Sequence, residues 1–124
     1  MKHILPVILA ALMLFSAYNH IVTPAFYAPF IPDFISEDFA NILSTILEAV
    51  IGIALIIPMY RKWGGLGFFL LMIAFLPIHI WDLFKETPAI GSMNAAIIRV
   101  VIQFVLIYLG RRIWRKNGEQ KVVQ

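Results

Sequence analysis

Residues 39–60 have the sequence FANILSTILEAVIGIALIIPMY, an apolar run of 22 residues with one formal charge, Glu48. A helix of this length rises about 33 Å, because each residue adds 1.5 Å. That rise matches the hydrocarbon core of a bilayer, which is roughly 30 Å thick. We therefore predict that residues 39–60 cross a membrane and that Glu48 lies inside it.

Three further apolar runs flank this one, at residues 3–22, 63–84 and 89–110. The chain has 124 residues, of which 61% are hydrophobic and only 14% charged, so four spans leave no room for a soluble domain. The first run follows Lys2 as a signal peptide would, but no small-residue cleavage pattern follows it, so we interpret it as a retained span. The predicted fold is all-α, a four-helix transmembrane up-and-down bundle forming one domain over residues 1–124.

The charged residues predict how the helices are oriented. The loops between the first and second and between the third and fourth spans carry most of the acids, whereas Lys and Arg collect at the other end of the spans. Cytoplasmic loops are enriched in Lys and Arg, so we predict a multi-pass protein of the plasma membrane, which is the bacterial inner membrane, with both termini cytoplasmic. Because these cations flank apolar segments and do not form a polar face, the lipid bilayer and not nucleic acid is the predicted partner. The cations are Lys2, Arg61, Lys62, Arg111, Arg112, Arg115, Lys116 and Lys121.

Six polar side chains inside or at the ends of the spans are candidates for a ligand-binding pocket. Such residues are costly in lipid, so each is expected to face the bundle and to have a partner. Counting along the helices places all of them in the outer half of the membrane, where Pro77 is expected to kink the third helix and widen the bundle. The candidates are Glu48, Arg99, Gln103, His20, His79 and Asn19.

Glu48 and Arg99 are predicted to form an ion pair, because one buried charge costs far more than two that share hydrogen bonds. The alternative is that this pair only fixes the packing of the helices. Asp82 and Lys85 are predicted to be solvated at the outer edge. We predict no metal site, since the chain has no cysteine and no HxxxH or ExxH spacing.

The order and spacing of several short motifs resemble the DoxX-like membrane proteins, over residues 20–112. In that family a histidine stands at the position of His20 and an acid at Glu48; an asparagine is usual where this chain has His79. The matching residues are His20, Pro24, Tyr27, Ile31 and Pro32; Glu48, Gly52, Pro58 and Arg61; Phe75, Pro77 and Ile80; and Arg99 with Gln103. Some related proteins are similar to subunits of quinone-linked sulfur oxidation and others are associated with redox stress, so the resemblance implies a quinone as ligand and a redox protein as partner.

Three functional hypotheses follow. The leading one is an accessory or small-molecule-binding component whose outward polar pocket takes a quinone-like or lipid ligand. The second is proton-coupled transport, in which Glu48 or a histidine changes its protonation state. The third is an acid–base enzyme acting on a lipid-soluble substrate, with His20 or Glu48 as the proton donor or acceptor. The sequence assigns no catalytic residue among these alternatives, and it is compatible with a homodimer.

Overall fold

The computed structural model describes residues 3–122, with side chains up to residue 118. Helices α1 (Ile4–Val22) and α2 (Glu37–Ile56) are joined by a 3₁₀ helix, Pro24–Phe30. A 3₁₀ turn, Pro58–Tyr60, leads into α3 (Arg61–Leu83), and α4 spans Met93–Val122. The described residues contain no strand, so the all-α prediction is confirmed. Of the cations used to predict orientation, Lys2 and the side chain of Lys121 lie outside the described part.

Serine caps set the starts of two helices. The Ser36 hydroxyl accepts from Phe39 N at 3.4 Å, so α2 begins two residues before the predicted 39. The Ser92 hydroxyl accepts from Ala95 N at 3.1 Å, and Gly91 before it has φ of 112°. Residues 89–92 turn before α4 begins at Met93, and the helix continues to Val122, beyond the apolar run at residues 89–110.

The helices pack in chain order. Helix α1 packs against α2, α2 against α3, and α3 most extensively against α4. Consecutive helices run antiparallel, as the contacts of Gly65 with Trp114 and of Gly110 with Phe69 show for α3 and α4. The core is one cluster of apolar side chains, with Phe68, Leu9 and Leu55 fully buried.

The outer surface of the helices is apolar and the interior holds polar groups. All four helices are long and apolar enough to cross a membrane. On α4 the side chains of Ile98, Val101 and Phe104 are each more than half exposed. In contrast, the buried residues include five that are polar or charged: Asn41, Glu48, Arg61, Asp82 and Gln103.

Glycines at the interface of α3 and α4 let the two backbones approach closely. A Cβ on Gly65 would lie 2.7 Å from Trp114 N and 2.8 Å from Ile113 Cγ2. We expect Gly65→Ala to force the helices apart and to lower the free energy of unfolding by about 2–3 kcal/mol. Reversible unfolding in mixed micelles measures this change.

Gly118→Ala is the matched control for that substitution. A Cβ on this helical glycine would meet only the flexible end of the Lys62 side chain, at 3.4 Å from Cε. Alanine there should be neutral or should stabilise the helix by up to about 1 kcal/mol. Equal effects at both positions would contradict the close packing of α3 on α4.

Candidate functional site

A cavity of about 490 Å³ lies between the four helices, at the end covered by the Pro24–Phe30 helix. Its walls are mostly apolar, with aromatic rings from Phe26, Tyr27, Phe30, Phe39 and Phe75. Its polar lining comes from Ser16, His20, Ser44, Glu48, His79, Arg99 and Gln103. Five of the six predicted pocket residues therefore line one cavity.

Asn19, the sixth predicted residue, is absent from the lining. Its described contacts use the backbone carbonyl, which accepts from the amide and the hydroxyl of Thr23 and so ends α1. The asparagine that does join the site is Asn41, whose Oδ1 lies 2.7 Å from His20 Nδ1. Asn41 lies seven residues before Glu48, two turns along the same helix face, and this spacing is the sequence signal for its role.

His20 and Glu48 form the first pair of the site. His20 Nε2 lies 3.6 Å from Glu48 Oε2, and Glu48 is only 2% exposed. The His20 ring stacks on Tyr27, with 3.7 Å between ring centroids and 18° between planes. The loop aromatic and Asn41 therefore fix the imidazole from two sides.

Arg99 and Asp82 form the second pair. Arg99 Nη1 lies 3.6 Å from Asp82 Oδ2, and Asp82 is 2% exposed. The other carboxylate oxygen of Asp82 accepts from Ala89 N at 2.7 Å and lies 3.7 Å from Lys85 Nζ. The prediction that Asp82 is solvated is thus wrong, because its carboxylate holds both the α3–α4 connection and Arg99.

The predicted Glu48–Arg99 ion pair is not formed among the described side chains. The physical reason is the packing order: Glu48 on α2 faces α1 and meets His20, whereas Arg99 on α4 faces α3 and meets Asp82. Each helical hairpin therefore contains its own pair. Both pairs still belong to one cavity, since Glu48 and Arg99 both line it.

The Pro24–Phe30 helix covers the cavity, and its rings of Phe26, Tyr27 and Phe30 belong to the lining. The Arg99 guanidinium lies over the Phe30 ring at 4.4 Å, within the range of a cation–π contact. Lys85 Nζ donates to the Pro29 carbonyl at 3.0 Å, which ties the loop to the α3–α4 connection. Polar groups of the cavity and of its rim thus hold the cover in place.

His79 and Gln103 complete the lining from α3 and α4. Since a carbonyl only accepts, His79 Nδ1 donates to Phe75 O at 2.8 Å, and the neutral ring then has its lone pair on Nε2. Gln103 Nε2 donates to Met72 O at 2.7 Å. Pro77 lies inside α3 between these contacts and leaves one carbonyl of the preceding turn without its helical donor.

Three buried polar atoms of the site have no hydrogen-bond partner: Glu48 Oε2, Asp82 Oδ2 and Arg99 Nη1. The separations of 3.6 Å in both pairs exceed the 2.7–3.2 Å of a hydrogen bond. Within residues 3–118, no group of three His, Asp or Glu side chains is placed to hold a metal ion. The arrangement therefore offers donors and acceptors to a ligand.

The protein therefore belongs to the class of all-helical proteins with four helices long and apolar enough to cross a membrane, and these helices surround a cavity lined in part by charged residues. Within that class, residues 9–114 match the family described as Domain of unknown function (DUF8561), and the chain belongs to it. The match includes every residue that lines the cavity. Neither a curated protein nor a solved structure matches the chain. The resemblance to DoxX-like proteins stays a prediction.

Proposed function

We propose that this protein spans the plasma membrane four times, with both ends in the cytoplasm, and binds a small amphipathic ligand in the cavity. The ligand is quinone-like or a lipid, and the protein acts as an accessory component of a membrane process. A DoxX-like relationship, and with it a redox partner protein, belongs to the same proposal.

The distribution of side chains supports the membrane proposal. Large apolar residues are exposed along all four helices, while carboxylate and guanidinium groups are buried. In water the exposed apolar surface would drive aggregation, since soluble monomers rarely expose apolar patches of more than a few hundred Å². In lipid the same surface is solvated, and the polar groups avoid hydrocarbon by facing inward.

The charges at the two ends of the helices support the proposed orientation. Arg61, Lys62 and Arg111 lie at the end away from the cavity, and the enrichment of Lys and Arg in cytoplasmic loops supports a cytoplasmic position for that end. The Pro24–Phe30 helix and the acids Glu37 and Asp38 lie at the other end. The cavity then opens in the outer half of the membrane.

The main support for a ligand is that buried polar atoms of the site have no hydrogen-bond partner. Leaving a buried donor or acceptor unsatisfied costs about 1–3 kcal/mol, and more for charged groups. Glu48 Oε2 and Arg99 Nη1 are both in this state, and both residues line the cavity. A ligand with a polar head would satisfy these atoms and recover that free energy.

The size and lining of the cavity support an amphipathic ligand. A volume of about 490 Å³ falls within the roughly 300–1,000 Å³ of small-molecule sites. Seven lining residues supply the polar groups named above, while the remaining walls are aromatic and aliphatic. A polar head with an apolar body matches this division.

Arg99→Gln tests the proposal with a matched control. We expect the affinity for a short-chain benzoquinone or a lysophospholipid, measured on protein in nanodiscs, to fall about tenfold or more, because a hydrogen bond from a charged donor is lost. Arg111→Gln removes the same charge from an exposed residue at the other end and should leave the affinity unchanged. Failure of wild-type protein to bind either probe would refute the proposal.

A second candidate function is proton-coupled transport, which the His20–Glu48 pair favours. Ionisable residues inside a membrane domain often mark proton pathways, and this pair lies against the cavity. Transport would appear as flux of a solute into proteoliposomes that depends on a pH gradient. Flux that ignores the gradient, or that survives Glu48→Gln, would exclude the coupling.

A further inference from the structure

The hydrogen bonds of Asn41 fix the orientation of its side-chain amide. Its Nδ2 lies 3.0 Å from the Glu37 carbonyl, which can only accept, so the NH₂ group must face that carbonyl. The oxygen Oδ1 then faces His20 Nδ1 at 2.7 Å. The amide therefore presents an acceptor to the imidazole.

The Asn41 acceptor in turn fixes the tautomer of His20. Because Oδ1 only accepts, His20 Nδ1 carries a hydrogen and donates it. A neutral imidazole with its proton on Nδ1 has a lone pair on Nε2. Tilting the ring would break its stack on Tyr27 and flipping it by 180° would break the bond to Asn41, so Nε2 stays directed at Glu48.

Two acceptors thus face each other across a gap. His20 Nε2 and Glu48 Oε2 are 3.6 Å apart, and Oε2 has no hydrogen-bond partner. A single proton on either group would not close the gap, since 3.6 Å is beyond hydrogen-bond range. Both side chains are more than nine-tenths buried, so bulk water does not solvate them.

We propose that this gap is the binding subsite for a hydroxyl group of the ligand, which deepens the proposed function and rests on it. When the pair holds one proton, on Nε2 or on Oε2, a hydroxyl accepts from the protonated group and donates to the other, so it bonds both. An ether or a ketone only accepts, so it leaves the unprotonated group of the pair without a donor, and a quinone-like ligand fits this subsite in its reduced form, which carries hydroxyl groups. The ligand class is therefore an alcohol or phenol with an apolar body, and the aromatic walls at Tyr27, Phe30 and Phe75 favour the phenol.

Two probes that differ only at the hydroxyl test this assignment. We would measure the binding of 4-octylphenol and of its methyl ether, 4-octylanisole, to the full chain in nanodiscs. The wild-type protein should bind the phenol about tenfold more tightly, as the loss of a hydrogen bond to a charged group predicts. His20→Phe keeps a ring against Tyr27 but removes Nε2, and Glu48→Leu removes the carboxylate. Both variants should bring the two affinities to within about twofold of each other.

Arg111→Gln, at an exposed residue away from the cavity, should keep the tenfold preference. Equal binding of the two probes by the wild-type protein would overturn the hydroxyl subsite while the proposed binding function stands. A preference that persists in both His20→Phe and Glu48→Leu would also overturn it. Binding of neither probe would refute the subsite and amphipath binding in this cavity together. The comparison of the two probes on the wild-type protein tests the hydroxyl subsite even where a variant fails to fold.

Discussion

Asp82→Ala is expected to lower the free energy of unfolding by about 3–5 kcal/mol, the cost of removing one partner of a buried ion pair. The Asp82 carboxylate is 2% exposed, lies 3.6 Å from Arg99 Nη1, and accepts from Ala89 N. Without it Arg99, whose side chain is partly buried and whose Nη1 is shielded from solvent, has lost its counter-charge. Reversible unfolding of the purified protein in mixed micelles gives the change directly.

Glu86→Ala provides the control for this prediction, since Glu86 is an exposed acid on the same connection and should change stability by less than about 0.5 kcal/mol. The double variant Asp82→Ala with Arg99→Leu should recover part of the loss, because it removes both charges of the pair. A loss below about 1 kcal/mol in Asp82→Ala alone would contradict a stabilising Asp82–Arg99 ion pair.

The helical architecture was predictable because it depends on one property, the length of apolar runs. Four runs of about 20 residues with few charges have no other stable arrangement in lipid, since every backbone group must be bonded within its own helix. The structure has four helices of that kind at the predicted places. Hydropathy is insensitive to the first turn of a helix, however, and the starts at Glu37 and Met93 follow the caps Ser36 and Ser92. Capping residues were the better signal there.

The residues that line the site could be predicted from the sequence, but the ion pairs that they form could not. Depth along a helix follows from counting residues, so His20, Glu48, His79, Arg99 and Gln103 were expected at one level, and they line one cavity. Which of them touch depends on the order in which the helices pack, which counting does not reveal.

Because each connection joins neighbouring helices, the pairs form within hairpins, His20 with Glu48 and Asp82 with Arg99. The burial of Asp82 was not predicted, because a residue at the end of a helix was expected to be exposed to solvent. Its contacts come instead from a loop residue, Ala89, and from Arg99 on the next helix. No local pattern in the sequence specifies either contact.

Arg61 has a structural role that the prediction of orientation from Lys and Arg does not reveal. The sequence predicts it as an orientation signal at the end of a span, yet it is 5% exposed. Its Nε donates to Leu55 O at 2.9 Å and its Nη2 to Ile56 O at 3.0 Å. These are carbonyls of the last turn of α2, which lack helical donors, and the positive charge complements the negative end of the helix dipole. Nη1 also donates to His3 Nδ1 at 2.8 Å, which joins the start of α1 to the same point.

Arg61→Ala is therefore expected to destabilise the protein by about 3–4 kcal/mol, since several charge-assisted hydrogen bonds are lost and two carbonyls are left buried. Arg61→Lys should recover only a small part, because an ammonium group cannot reproduce the planar fork that reaches both carbonyls and His3. Lys62→Ala removes the same charge from the adjacent residue, whose Nζ contacts only the Trp63 ring among the described contacts, and should cost less than about 1 kcal/mol. Unfolding in mixed micelles separates the three variants. Equal losses for Arg61→Ala and Lys62→Ala would mean that the charge of the turn, and not the cap on α2, stabilises this end of the bundle.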